Sequence, residues 1–319
     1  MKTSPRFLAA LAAASVFLAA GGAARAESRI EKNLRLEPGG ELSVKTELGS
    51  VKVRGTDQSG ARIVVTSRDE DLNDLLKFDF QERAGSVTAV ARKRHSTDGV
   101  FQFGRRRVAW EIEVPARTRV TVDTSGGAIQ ISALSSPAKL DTSGGAIEVR
   151  DHTGDVTAHT SGGGITLSHV KGECRVETSG GGISADAIDG KIDAETSGGS
   201  IRLDGVTGDI RAHTSGGGIR IREAGGRVEA ETSGGSLQAS FARGNGRGGR
   251  LESSGGGVSV SVDPKVGLAI DASGNSVHAE LPITIQGEIS PRHLRGNLGA
   301  GGEILRVRTS GGSVSISPL

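Results

Sequence analysis

Thr124-Ser125-Gly126-Gly127-Ala128-Ile129 opens a phrase that the chain repeats six more times before residue 240. The T-S-G-G sequence returns at intervals of 18 residues, beginning at Thr142, Thr160, Thr178, Thr196, Thr214 and Thr232. A fixed period of this length is typical of a solenoid, in which each unit buries its apolar face only by stacking on its neighbours. Stability must come from this stacking.

The apolar residues of the repeat predict two strands in each coil. With the repeat threonine numbered position 0, positions 5 and 7 are apolar in every repeat, and positions 14 and 16 are apolar through Ala230. Residues two apart on a strand share a face, so both pairs point inward. Position 10 is a looser apolar site, which His152 interrupts. The predicted fold is all-β, a parallel β-solenoid with 18-residue coils of two strands each.

Glycine and threonine mark the bends of this coil. Gly-Gly at one bend and a frequent glycine at position 12 at the other suit tight turns, where the backbone adopts positive φ or approaches a neighbour closely. The repeat threonine should pack its methyl group inward and bond a neighbouring coil or the bend through its hydroxyl. The serine at position 1 should face water. Seven equal turns that open strands do not fit a catalytic serine or a single phosphate-binding loop.

The first 26 residues predict a secretory signal peptide. Lys2 and Arg6 supply its positive end, an apolar run extends from Phe7 to Ala20, and Ala24-Arg25-Ala26 matches the cleavage pattern. The run is shorter than the roughly 20 residues that span a bilayer, and no later stretch comes close. We expect export by the Sec route, to the periplasm or to the cell surface and beyond, with no membrane span.

Three further segments complete the predicted organisation. Residues 27–123 form a β-rich region that leads into the solenoid, 124–252 the regular repeats, and 253–319 degenerate coils and a cap. The phrase Thr46 to Val53 echoes the repeat and predicts a degenerate capping turn. Asp69 to Leu76 predicts a helical turn.

Towards the C-terminus the pattern degrades. Ser290 to Gly302 is expected to leave the stack or form a loose coil, and Val314 to Ile316 to end it.

Composition excludes several function classes. Without residues 1–26 the chain has 36 basic residues against 37 acidic ones, which gives no footprint for nucleic acid or an anionic membrane. Cys174 is the only cysteine, so the fold needs no internal disulfide, and its inward position favours an inert buried thiol over a reactive one. The basic runs Arg92 to His95 and Arg105 to Arg107 indicate either a patch for an acidic partner or, the favoured interpretation, a solvated hairpin tip.

One outward row deserves weighing because a solenoid aligns equivalent positions. Position 17 is occupied by Asp141, His159, Glu177, Glu195, His213, Glu231 and, after an insertion, Glu252. Such a row could bind a divalent metal, or Glu177 and Glu195 could act as the paired carboxylates of a glycosidase. A solvated face is favoured over both. We therefore predict no catalytic, cofactor-binding or metal-binding residues.

The chain resembles a known family at this point. Glu37-Pro38-Gly39-Gly40, the T-S-G-G-x-I turns and the ending Leu305 to Val314 are similar to the DUF4097 group of exported bacterial β-strand-repeat proteins, described as candidate adhesins. The resemblance implies a β-solenoid with a role in the cell envelope.

These features favour a non-enzymatic, adhesin-like or structural binding protein of the cell envelope, with an envelope or surface protein or a glycan as partner. A polysaccharide-processing β-helix enzyme is the alternative, and self-assembly through the sheet ends a third.

Overall fold

The computed structural model describes residues 28–68, 71–94, 108–286 and 290–319. In these residues the chain forms two sheets, of 14 and 15 strands, whose inner faces share one hydrophobic core. Most strand pairs are parallel. The predicted all-β, parallel β-solenoid is confirmed. The proposed signal peptide, the run from His95 to Arg107 and Asp69 lie outside the described residues.

The strands are numbered along the chain. The region before the repeats contains α1 Leu72–Leu75 and the strands β1 Ser28–Leu34, β2 Glu41–Thr46, β3 Ser50–Thr56, β4 Ala61–Ser67, β5 Leu76–Arg83, β6 Ser86–Lys93, β7 Val108–Pro115 and β8 Arg119–Thr124. The repeats contain β9 Ile129–Ser132, β10 Ala138–Thr142, β11 Ile147–Thr153, β12 Val156–Thr160, β13 Ile165–Lys171, β14 Cys174–Thr178, β15 Ile183–Asp189, β16 Ile192–Thr196, β17 Ile201–Val206, β18 Ile210–Thr214, β19 Ile219–Ala224, β20 Val228–Thr232 and β21 Leu237–Phe241. The C-terminal region contains β22 Gly249–Ser253, β23 Val258–Val262, β24 Leu268–Ser273, β25 Ser276–Ala279, β26 Ile283–Ile285, β27 His293–Leu298, β28 Ile304–Thr309 and β29 Ser313–Pro318.

Within the repeats, every strand pairs in parallel with the strand one coil further on. The odd-numbered strands β9 to β23 lie side by side in the first sheet, and the even-numbered strands β8 to β22 in the second. The register matches equivalent repeat positions, such as Ile147 with Ile165 and Thr142 with Thr160. Each coil therefore contributes one strand to each sheet, as the 18-residue period predicts.

The core is filled by the positions that the sequence assigns inward. Ile201 and Leu203 of the first sheet and Ile210 and Ala212 of the second are all buried. Cys174 is buried as well, and burial raises the pKa of its thiol to about 12, which keeps it protonated. The prediction that Cys174 is buried is therefore confirmed, and its inertness stays a prediction.

The N-terminal end departs from chain order. Strands β2 and β3 form a coil in register with the first repeat, with Thr46 beside Thr124 and Val51 beside Ile129. Strands β6 and β7 stack on the other side of this coil. Antiparallel strands then close the stack, β5 in the second sheet and β4 with β1 in the first. The phrase Thr46 to Val53 is therefore an interior coil, and its prediction as a capping turn is wrong.

The C-terminal end has the same design. Strands β28 and β29 lie between the coil β22–β23 and the coil β24–β25, so the expectation that Val314 to Ile316 ends the stack is wrong. Thr309 Oγ1 donates to the carbonyl oxygen of Gly256 at 2.6 Å and so continues the ladder of the regular turns. The turn at Asn275 lacks the second glycine of the T-S-G-G phrase, and its coil, β24–β25, lies outside the coil formed by β28 and β29. Strand β27, within the expected excursion, runs antiparallel to β24 and β26 and covers the edge.

Candidate ligand-binding surface

The repeated T-S-G-G turns hold the coils together through the threonine hydroxyl. Thr178 Oγ1 donates to the carbonyl oxygen of Gly163 in the preceding coil at 2.7 Å and accepts the N–H of Gly181 at 3.3 Å. The same two bonds recur at Thr142, Thr160, Thr196, Thr214 and Thr232. The predicted hydroxyl contact is confirmed, and the position-1 serines are exposed as expected. The repeated threonine hydroxyl is thus used within the fold.

The outer face of the second sheet carries the row of position-17 residues in register. His159, Glu177 and Glu195 occupy successive coils, and His159 Nδ1 lies 3.7 Å from a carboxylate oxygen of Glu177. Among the described residues, no three His, Cys, Asp or Glu side chains form a group that could hold a metal ion. The structure therefore aligns the row without gathering it into a ligand set.

Glu177 and Glu195 are both exposed. Glycosidase chemistry needs one carboxyl group to be kept protonated by a desolvating environment. Because both side chains are exposed, neither has such an environment in this structure.

A neighbouring row on this face pairs its charges. Arg175 lies 4.0 Å from Asp193, and Arg211 lies 3.3 Å from Glu229. Such exposed pairs add little to stability.

A shallow groove of about 410 Å³ runs along the outer face of the first sheet, across the coils from Ile165 to Gln238. Its floor is made by small residues at position 4, and its side by the outward residues at position 6. The small residues are Gly182, Ser200, Gly218 and Ser236. Because position 4 carries only alanine, glycine or serine in all seven repeats, no long side chain fills the space.

Sequence reasoning missed this groove. It searched the outward rows for chemically active groups, whereas the groove is formed by the lack of bulk at one position. The signal was present as the unbroken series Ala128, Ala146, Gly164, Gly182, Ser200, Gly218 and Ser236.

Comparison with known proteins agrees with this architecture. The model of the Toastrack DUF4097 family matches residues 40–317. The chain belongs to the Toastrack DUF4097 family. The resemblance seen in the sequence is thereby confirmed, and the groove lies wholly inside the part of the chain that the Toastrack model matches. No curated protein matches the chain.

Solved structures similar to this Toastrack chain are distant. A candidate adhesin from Bacteroides fragilis NCTC 9343 is 10% identical, with a TM-score of 0.42 and coverage of 92% of this chain and 99% of that one. A candidate adhesin from Parabacteroides distasonis ATCC 8503 is also 10% identical, with a TM-score of 0.42 and coverage of 92% and 97%. A candidate lipid-binding protein from the same strain is 14% identical, with a TM-score of 0.35 and coverage of 92% and 97%.

Within the part of this Toastrack chain that the structure describes, no helix is long and apolar enough to cross a membrane. The single helix there, α1, has four residues, and its Leu72 and Leu75 are buried against the end of the stack. This short helix confirms the helical turn expected in that stretch.

One buried polar group stands apart from the outer faces. His152 is 1% exposed at position 10, in register with Val170 of the next coil, and neither ring nitrogen has a hydrogen-bond partner. Burial lowers the pKa of its imidazole to about 4, although the charge of Asp155 opposes the shift. The ring is therefore neutral at pH 7 and costs stability when it is protonated.

Proposed function

We propose that this Toastrack protein is a non-enzymatic, adhesin-like binding protein of the cell envelope, which holds a linear ligand along the groove of the first sheet. The groove itself carries the proposal. It is open, it extends over several coils, and its walls repeat at the spacing of about 4.8 Å between neighbouring strands. Solenoids use long surfaces of this kind to bind extended partners.

The proposed cellular location rests on the N-terminal end of the chain. The pattern of residues 1–26 supports export by the Sec route, and so places the partner in the periplasm or outside the cell. An envelope or surface glycan, or a segment of an envelope protein in extended conformation, fits the shape of the groove.

The proposal is tested by filling the groove without touching the core. Ser200 is exposed on the groove floor, so Ser200→Trp should block a ligand there and leave the stack intact. Thr157→Trp places the same bulk at an exposed position of the second sheet and is the matched control. A glycan array and immobilised envelope proteins serve as the ligand sources, with the melting temperature checked for each variant.

We expect the wild-type chain and Thr157→Trp to retain the same ligands, and Ser200→Trp to lose them by at least tenfold in affinity, which corresponds to about 1.4 kcal/mol. Equal binding by all three proteins would contradict the proposal. Any glycan that is retained should also be recovered at its original length after incubation. Shortened products would instead favour a polysaccharide-processing enzyme.

A further inference from the structure

Two arginines lie on neighbouring rungs at the side of the groove. Arg202 of β17 is paired in register with Arg220 of β19, and both side chains line the groove. Neighbouring parallel strands are about 4.8 Å apart, so the two guanidinium groups start from positions one rung apart. Like charges directly opposite each other on a sheet are destabilising. Stability therefore does not explain why two arginines are paired in register here.

Elsewhere in residues 124–240 every arginine contacts a carboxylate. The five pairs are Arg150 with Glu148, Arg175 with Asp193, Arg211 with Glu229, Arg222 with Asp204 and Arg227 with Glu229. Within this fully described stretch, Arg202 and Arg220 are the two arginines that contact none. Arg220 donates through Nε to the side-chain oxygen of Gln238 at 3.0 Å, which leaves its terminal nitrogens free of a carboxylate.

The surroundings do not supply the missing negative charge. The residues that line the groove, all of them in the described part of the chain, include no acidic side chain. On the same face, Asp204 lies two residues beyond Arg202, but it contacts Arg222 at 3.8 Å. Asp186 lies one rung before Asp204 and so on the far side of the arginines from the groove floor. The groove is thus locally positive on a chain whose charges are otherwise nearly balanced.

We propose that the groove binds a linear acidic polysaccharide, with the anionic groups of successive sugar units opposite Arg202 and Arg220. This inference rests on the proposed function and gives its ligand a chemical class. Guanidinium groups form two-pronged hydrogen bonds with carboxylate and sulfate groups, and they do so at lower desolvation cost than ammonium groups. Charge complementarity therefore selects an anionic ligand.

The rest of the groove favours a sugar chain over a stacked aromatic ligand. Its floor offers the hydroxyl groups of Ser200 and Ser236, and its polar side continues with Ser184 and Gln238. No aromatic ring lines this described surface, so neutral sugars lack the platform on which they usually stack. A pyranose unit in an extended polysaccharide advances the chain by a length similar to one rung. Successive units are rotated about the chain axis, and the long, flexible side chains of Arg202 and Arg220 can follow acidic groups on the two edges of adjacent units.

The test measures binding of polygalacturonate to the full mature chain, with dextran as the uncharged polymer. The double variant Arg202→Gln/Arg220→Gln removes the proposed contacts. Arg175→Gln/Arg211→Gln is the matched control, because it removes the same charge from the opposite sheet, where both arginines already contact carboxylates. Dextran sulfate, inorganic phosphate and phosphatidylglycerol vesicles are tested in parallel, and melting temperatures report on folding.

We expect polygalacturonate to bind the wild-type chain and the control variant, more weakly as the salt concentration rises, and the groove variant to bind at least tenfold more weakly. Binding of dextran sulfate with the same arginine dependence would extend the ligand class to sulfated polymers and support the inference. Equal binding of polygalacturonate by both double variants would overturn it.

Other outcomes separate this inference from the proposed function. If only a neutral glycan binds, and Ser200→Trp abolishes its binding, the function stands and the acidic ligand is wrong. If vesicles or free phosphate bind through the two arginines while polygalacturonate does not, the polysaccharide is wrong as well. If polygalacturonate binds but neither the arginine substitutions nor Ser200→Trp weakens it, both proposals fail.

Discussion

The T-S-G-G bend and the kink at position 9 of the regular coil are built on different principles. The T-S-G-G bend uses nearly the same residues in every coil, and six of its seven threonines make the same two hydrogen bonds. Position 9, which lies within a strand of the first sheet in five of its six coils, also repeats its geometry, because it adopts a left-handed backbone in all six. Its residues nevertheless vary: Ala133, Asp151, His169, Ala187, Gly205 and Glu223. Residue type is thus fixed where side-chain atoms or space are involved, and varies where only a backbone angle recurs.

The glycines of the first bend show what fixes it. A Cβ at Gly199 would overlap the carbonyl oxygen of Gly181 in the preceding coil, whereas a Cβ at Gly198 would lie 3.5 Å from the oxygen of Gly180. Neither glycine has a left-handed backbone. The second glycine of the phrase is therefore required by close stacking, and the first is not. The sequence-based expectation that positive φ could explain the glycines holds at position 12 for Gly154, Gly172 and Gly190, and not for the T-S-G-G bend.

The largest expected effect comes from breaking the first bend at its second glycine. Gly199→Ala forces two coils apart, so we expect it to lower the free energy of unfolding by more than about 3 kcal/mol. Gly198→Ala, in the same turn, should change it by less than about 1 kcal/mol, because the new methyl group meets ordinary contacts. Urea unfolding followed by circular dichroism measures both. Similar losses for the two variants would show that bend conformation, and not stacking distance, requires glycine.

The kink at position 9 tolerates a buried histidine at the next residue, and pH should reveal the cost of its burial. His152 has a pKa near 4 when folded against an ordinary value of 6.5, so the unfolded chain binds the proton more tightly between these values. Stability is therefore fully retained above pH 6.5 and falls as the pH drops towards 4, by roughly 3 kcal/mol from this residue alone.

The variant His152→Leu uses the residue found at the same position in the preceding coil, Leu134. It should unfold at higher urea concentrations than the wild-type chain, and its advantage should grow by about 3 kcal/mol between pH 7 and pH 4. His152→Val, which copies Val170, should show the same trend. An advantage of equal size at both pH values would mean that His152 does not titrate in this window, and would contradict the prediction.

The sequence alone predicted the structure of the regular coil, but it did not predict the order of the coils at the two ends of the stack. The period, the inward pairs such as Ile201 and Leu203, and the threonine contacts all follow from local spacing, because each coil repeats the environment of the last. The order of coils at the ends depends on a competition between similar strands. Val314 could pair beside Val258 or beside Val277, and in the structure it contacts both. Spacing cannot rank such alternatives, although Gly312 against Asn275 offered a clue to which coil could be interior.

The candidate site was hidden for a different reason. Arg202 and Arg220 are unremarkable in the sequence, since arginine recurs throughout the repeats. These two arginines are significant because no carboxylate contacts them. That absence depends on the register and the side-chain directions of several coils at once. The position-17 row was easier to see, but Glu177 and Glu195 in it are exposed.

The smallest expected effect sharpens the contrast between the T-S-G-G bend and the kink at position 9, because substitutions at position 9 change only the preference for a backbone angle. Ala187 has φ of 53° and Gly205, at the same position of the next coil, has φ of 63°. Left-handed backbone costs an alanine about 1–2 kcal/mol, partly offset by the greater entropy that glycine loses on folding. Ala187→Gly should therefore stabilise the chain by up to about 1 kcal/mol. Gly205→Ala should destabilise it by a similar amount, even though the new Cβ would lie 3.8 Å from its nearest neighbour and has room. Both shifts are measurable as changes in the urea midpoint. If Gly205→Ala were neutral, the left-handed angle would not be the constraint at position 9. The variation of residue type at this position would then need another explanation.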